Sequence, residues 1–248
     1  MVREVTTAKG IERALRADSN PLLASHHLRF FKCGPGEYGE GDAFLGVAVP
    51  PLRALSKRYK SVEMPEAVTL LQSKWHEVRL LALMILVHLY ERGDESEREA
   101  IYRAYLANTN RINNWDLVDV SAHKIVGVHL RERDRAPLLA LAKSESLWER
   151  RIAIVATLDF IRRDDFRDTL RIAEALLTDR HDLIHKAAGW MLREVGKRDQ
   201  AVLERFLRKH ARAMPRTMLR YAIERFPAEL GEVHGEGLGQ VGLDRVVV

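Results

Sequence analysis

Near the middle of the chain, the run Ile112-Asn-Asn-Trp115-Asp116-Leu-Val-Asp119 sets an indole and a carboxylate four residues apart. On a helix that spacing places Trp115 and Asp119 on one face, and Asn114 just before them is a helix-capping residue type. An aromatic face beside a carboxylate can hold an organic cation and stabilise positive charge that builds up during a reaction. The same pattern also suits a core Trp with a surface Asp paired to an Arg. A second run, Leu147-Trp-Glu-Arg150-Arg151-Ile-Ala-Ile-Val155, puts Arg151 on the inward apolar stripe with Leu147 and Ile154. Arg150 falls about 100° round the helix from it. A guanidinium on an apolar stripe needs an anion, supplied either by the protein or by a bound phosphate. The third run, Lys186-Ala-Ala-Gly189-Trp190-Met-Leu-Arg193, with Lys197 one turn on, sets an indole on a basic helix.

Other constellations carry less. Gly34-Pro-Gly-Glu-Tyr38-Gly-Glu-Gly41 has no strand before it and carries two Glu where a phosphate would sit, so it reads as a surface loop and not a nucleotide cradle. Tyr38 can still serve as an aromatic contact at a groove edge. His181 and His185 have the spacing of a helical zinc pair, but there is no third ligand and Asp182 stands where a Glu base would be needed. His26 and His27 are adjacent and point to different sides of a helix. No metal or cofactor is expected. The single cysteine, Cys33, excludes an internal disulfide and a Cys-pair zinc site, and suits a reducing compartment.

Positioning these residues falls to helices. Apolar residues recur at three- and four-residue steps from Trp75 to Leu89, and similar runs continue to Phe226. Ser96, Asn114, Ser146 and Asp182 stand at expected helix starts, with Pro65 and Pro215 in first turns. No alternating β-branched stretch bounded by turns occurs. Long helices begin near Trp75, Trp115, Leu147 and Leu183, a spacing close to that of HEAT-type repeats. The expected fold is all-α, an α-solenoid of HEAT-like repeats with a concave basic groove. It forms one domain over residues 1–230, followed by a Gly-rich disordered tail over 231–248. The 248 residues are 46% hydrophobic and carry a net charge of +5, which excludes a disordered chain. From Lys186 to Arg225, eleven Lys/Arg stand against four acids, so this segment is +7 and the remainder −2. A basic face of that kind suits a polyanion, most often nucleic acid. The longest apolar run, Leu80 to Tyr90, falls short of the roughly 20 residues of a membrane span. With no signal-type segment at the N-terminus, a cytoplasmic, nucleoid-associated, monomeric protein is expected.

In NNWDLVD (113–119), LWERRIAIV (147–155), KAAGWMLREVGK (186–197), FLGVAVPPLRALSK (44–57) and RTMLRYAIERF (216–226), the chain resembles the AlkD-type DNA alkylation-repair proteins, which are HEAT-like alkylpurine DNA glycosylases. The resemblance implies excision of positively charged alkylated purines from duplex DNA, with no cofactor. It implies that Trp115 and Trp190 contact the damaged nucleoside, that Asp119 is the catalytic carboxylate and that Arg151 is the essential arginine. Tyr38 would match an N-terminal aromatic. Arg150, Lys186, Arg193 and Lys197 are the candidate grips on the DNA backbone. The family does not require the base to be flipped into a pocket. Two other readings remain: a non-catalytic HEAT-like nucleic-acid binder, and a protein-binding scaffold, the common use of solenoids.

Overall fold

A computed structural model of the chain describes residues 7–226. Within them the fold is all-α, as the periodicity predicts, and the sole β-type pairing is an isolated bridge between Ala43 and Trp75. The expected C-terminal tail, 231–248, lies outside the described residues. The helices cluster into two compact units that divide at Arg133/Asp134, within the charged stretch Glu132-Arg-Asp-Arg135.

The first unit holds α1 (Ala8–Ala17), α2 (Pro21–Phe30), α3 (Val49–Arg58), α4 (Met64–Leu71), α5 (His76–Arg92), α6 (Glu95–Ala107), α7 (Trp115–Ala122) and α8 (Val128–Leu130). At its centre is α5. Every residue from His76 to Val87 is buried, because α3, α4, α6 and α7 all pack on it. A helix covered on every side has no polar stripe to display. Each fully buried Leu or Ile there contributes about 1.5–3 kcal/mol relative to exposure. Between α7 and α8, His123–Gly127 forms a π-helical turn, so the single helix expected from Trp115 to Leu130 carries a bulge of a kind frequent at functional sites.

The second unit holds α9 (Ala136–Ala142), α10 (Leu147–Ala156), α11 (Leu158–Ile161), α12 (Arg167–Ala175), α13 (Asp182–Arg198), α14 (Gln200–His210) and α15 (Arg216–Ile223). Here α13 is the hub, packed on α10, α14 and α15. Gly189 lets it approach α15 closely: a Cβ there would meet the Met218 carbonyl oxygen at 2.5 Å.

Most helix starts lie where expected. Asn114 caps α7 and Ser146 caps α10, each through its side chain. Two differ. Asp94, and not Ser96, caps α6, because Asp94 and Glu97 form a reciprocal capping box that Ser96 cannot complete. His181, and not Asp182, caps α13: its Nδ1 accepts from the Leu183 N–H at 3.2 Å.

Candidate functional site

The start of α7 opens onto the cavity of the first unit. Asn114 fixes this start by accepting the Trp115 N–H at 2.8 Å. Trp115, Asp116 and Asp119 then all face a cavity of about 560 Å³. Its other walls are His27, Phe30 and Phe31 on and just after α2, Phe44 and Val47 from the loop before α3, Leu52 of α3, and His76, Glu77, Leu80 and Met84 of α5. The rings form a continuous stack. Phe31 lies on Trp115 (5.4 Å, 26°) and on Phe44 (5.1 Å, 15°), and Phe44 lies on His76 (4.6 Å, 23°). Phe30 stands edge-on to Trp115 at 6.0 Å and is 55% exposed, which places an aromatic ring at the solvent side of the cavity.

Beneath the rings lies a buried set of charges. Both nitrogens of His76 meet carboxylates, Nδ1 with Asp42 at 2.9 Å and Nε2 with Asp116 at 2.8 Å. Burial disfavours the charged ring, but Asp116 and then Asp42 outweigh it and lift the His76 pKa from 6.5 to about 9. Asp42 also accepts from Arg79 Nη2 at 2.7 Å. Although burial works against ionisation of Asp42, His76 and Arg79 together hold its carboxyl below the ordinary value. Beside them, Glu77 accepts three successive backbone N–H groups, from Leu45 (2.9 Å), Gly46 (2.8 Å) and Val47 (3.2 Å), and meets His27 Nδ1 at 3.3 Å. Gly46 has φ +79°, and a Cβ there would collide with the Asn20 carbonyl, so only glycine lets the loop run this close to α2. Glu77 thus pins the wall that carries Phe44 to the start of α5.

The described positions of the other sequence-predicted residues are varied. Tyr38 is half-buried in the Gly-rich loop and is not among the residues lining the cavity; Phe30 and Phe31 are the aromatics of the N-terminal segment that meet Trp115. In the second unit, Arg151 is buried and donates from Nη1 to the Leu183 carbonyl at 2.6 Å, tying α10 to the first turn of α13. Arg150 donates to Asp179 (2.6 Å) and to the Ser144 and Glu145 carbonyls (both 2.9 Å). Trp190 is half-buried on α13 and donates from its indole to Glu194 at 3.2 Å. Lys197 meets the same Glu194 at 2.7 Å, Lys186 pairs with Asp182 at 2.8 Å, and Arg193 pairs with Glu224. His181 and His185 serve α13 and the turn before it, the latter bonding the Asp179 carbonyl at 2.6 Å. Among the described residues, no cluster of three or more His, Cys, Asp or Glu could hold a metal ion, and no helix is long and apolar enough to cross a membrane.

His76, Glu77, Asp42, Asp116, Phe30 and Phe31 do not figure in the sequence reading as site residues. One signal was available: His76, Glu77 and Arg79 are polar residues directly before the uninterrupted apolar run Leu80–Val87 of the same helix.

Residues 11–226 match the model of a family described as DNA alkylation repair enzyme. No curated protein matches the chain. A solved structure described as a predicted DNA alkylation repair enzyme from Enterococcus faecalis is similar, with a TM-score of 0.66 and 19% identity over 85% of this chain and 97% of that one. At that identity the likeness concerns the fold.

Proposed function

Since this chain belongs to the DNA alkylation repair enzyme family, we propose that it is a DNA glycosylase that excises positively charged alkylated purines, of the 3-methyladenine and 7-methylguanine type, from duplex DNA. The observation that carries this reading is the cavity of the first unit, where Trp115 and Phe30 offer ring faces and edges beside the carboxylates of Asp116 and Asp119. Aromatic faces stack with any base, and a positive charge on the base adds roughly 0.5–2 kcal/mol per contact.

The chemistry asks little of an acid. A purine alkylated at N3 or N7 already bears a positive charge, so its bond to C1′ is weak. When that bond breaks, both electrons pass to the purine, which leaves neutral, and the sugar takes on oxocarbenium character. A water oxygen then bonds to C1′ and gives up a proton, leaving an abasic site. Asp119 supplies the fixed negative charge that opposes the developing cation, and it accepts the proton from water. Trp115 and Phe30 hold the base.

In the second unit we assign DNA contacts to Trp190, Lys186 and Lys197. Exposed ion pairs such as Lys186–Asp182 and Lys197–Glu194 are worth about 0–1 kcal/mol, so a phosphate can replace the carboxylate at little loss. Arg150, Arg151 and Arg193 are held by protein partners and serve to fix α10, α13 and α15.

The test is incubation of methylated duplex DNA with the protein, followed by mass spectrometry of the released bases. Release of free methylpurines with accumulation of abasic sites supports the reading. Tight DNA binding without release supports a non-catalytic binder, and weak, salt-independent binding supports a scaffold.

A further inference from the structure

We propose that His76 is a positioning residue of this site, acting as an imidazolium that bridges Asp42 and Asp116 and so fixes the first turn of α7, which carries Trp115 and Asp119. The inference deepens the glycosylase reading and rests on it for the identity of the reaction.

The geometry of the ring carries the argument. Its two nitrogens lie 2.9 Å and 2.8 Å from carboxylate oxygens of two different residues. A neutral imidazole has one N–H, so it can serve only one of them and must turn a bare lone pair on the other; an imidazolium donates to both. Solvent cannot make up the difference, because the side chain is 2% exposed and Phe31 and Phe44 cover it at 4.9 Å and 4.6 Å.

Charge around the ring follows a division of labour. Asp42, from the loop before α3, is already paired with Arg79, which also reaches Asn113 at 3.2 Å. Arg111, from the turn before α7, adds a further positive charge near Asp42 and Arg79. On α5 itself, Glu77 is engaged with the Leu45–Val47 backbone and with His27 of α2. Arg53 of α3 and Asp119 of α7 face the same cavity. The imidazolium charge therefore falls to Asp116, the neighbour of Trp115. The His76 backbone N–H, bonded to the Ala43 carbonyl at 2.8 Å, anchors the ring's own helix to the loop that carries Phe44. With the proton, the first turns of α5 and α7 are tied together. Without it, either Asp42 or Asp116 faces a lone pair, and the tie opens.

The test has one arm that needs no reaction and one that does. In the full chain, the imidazole nitrogen resonances of His76 should show both nitrogens protonated at neutral pH and titrate near pH 9. The Trp115 indole resonance, assigned by Trp115→Phe, should move with the same midpoint. In the second arm, single-turnover excision by His76→Gln should be slower than wild type by about 10²-fold, the scale of a small misplacement of reacting groups. His76→Arg, which keeps a permanent charge and a two-pronged donor, should recover most of that loss. Relative to the wild type, it should also gain rate above about pH 9, where the native ring loses its proton. A His76 with one bare nitrogen at neutral pH, a Trp115 resonance indifferent to its titration, or wild-type excision by His76→Gln would each overturn the proposal. If no protein in the series releases a base while the resonances behave as stated, the glycosylase reading fails and the positioning role of His76 stands. If neither variant folds, the wild-type resonances decide.

Discussion

Replacing Glu77 with Gln should destabilise the first unit and disable the cavity together. The carboxylate accepts three backbone N–H groups and is 2% exposed, so water cannot stand in for it. Gln keeps the shape but has one acceptor oxygen. If that oxygen takes the place of Oε1, it retains Gly46, Val47 and His27, while the new NH₂ group is turned against the Leu45 N–H. One buried donor is then orphaned, at about 1–3 kcal/mol, and the remaining bonds lose their charge assistance, about 1 kcal/mol each. The lighter desolvation of a neutral side chain offsets part of this. A net loss of about 3 kcal/mol is expected, which for a chain of this size lowers Tm by roughly 6–12 °C. Because Phe44 and Val47 ride on the pinned loop, base release should fall as well, even at temperatures where the variant is folded. Calorimetry and single-turnover excision on the same preparation measure both. A Glu77→Gln protein melting with the wild type would refute the reasoning, since the loop N–H groups would then have other acceptors.

Further outcomes follow from the same contacts. Asp116→Asn should lower stability by about 2–4 kcal/mol, because it leaves the buried His76 charge with one carboxylate instead of two; urea unfolding checks this. Folding raises the His76 pKa from 6.5 to about 9, so its stabilisation is complete below about pH 6.5 and disappears as pH rises through 9, an amplitude of about 3 kcal/mol. Tm should therefore fall across that window, and a flat profile would contradict the paired ring. Trp115→Ala should slow release of cationic bases while leaving affinity for undamaged duplex within about threefold, and that affinity should weaken steeply with salt; titrations at low and physiological salt measure both.

The fold was legible wherever the pattern is local. Helical periodicity and caps such as Asn114 and Ser146 depend on residues within one turn of each other, and they lie where the spacing puts them. The pairing of Trp115 with Asp119 on one helix face is legible for the same reason. The buried charges were not. His76 finds its partners 34 and 40 residues away, and Glu77 its backbone donors 30 to 32 residues away. In the sequence, such residues look like an ordinary polar first turn. Tyr38 came from the resemblance to an N-terminal aromatic, whereas Phe30 and Phe31 reach Trp115 from more than 80 residues away, a contact that no local spacing reveals. The net count from Lys186 to Arg225 overstated the free charge, since Lys186, Arg198 and Lys209 pair with Asp182, Asp164 and Glu174, which lie outside that segment.

The central claim is that a carboxylate on α7 drives base release, and Asp119→Asn tests it most directly. The substitution is nearly isosteric, so melting should stay close to wild type. Binding to a duplex with a single 7-methylguanine should be kept or tightened, because a negative charge near phosphate is removed. Single-turnover release of 7-methylguanine should slow by about 10²–10³, the usual loss for one preorganised electrostatic contact to a transition state. Wild-type release by the Asn variant, or no release by the wild type itself, would contradict the account.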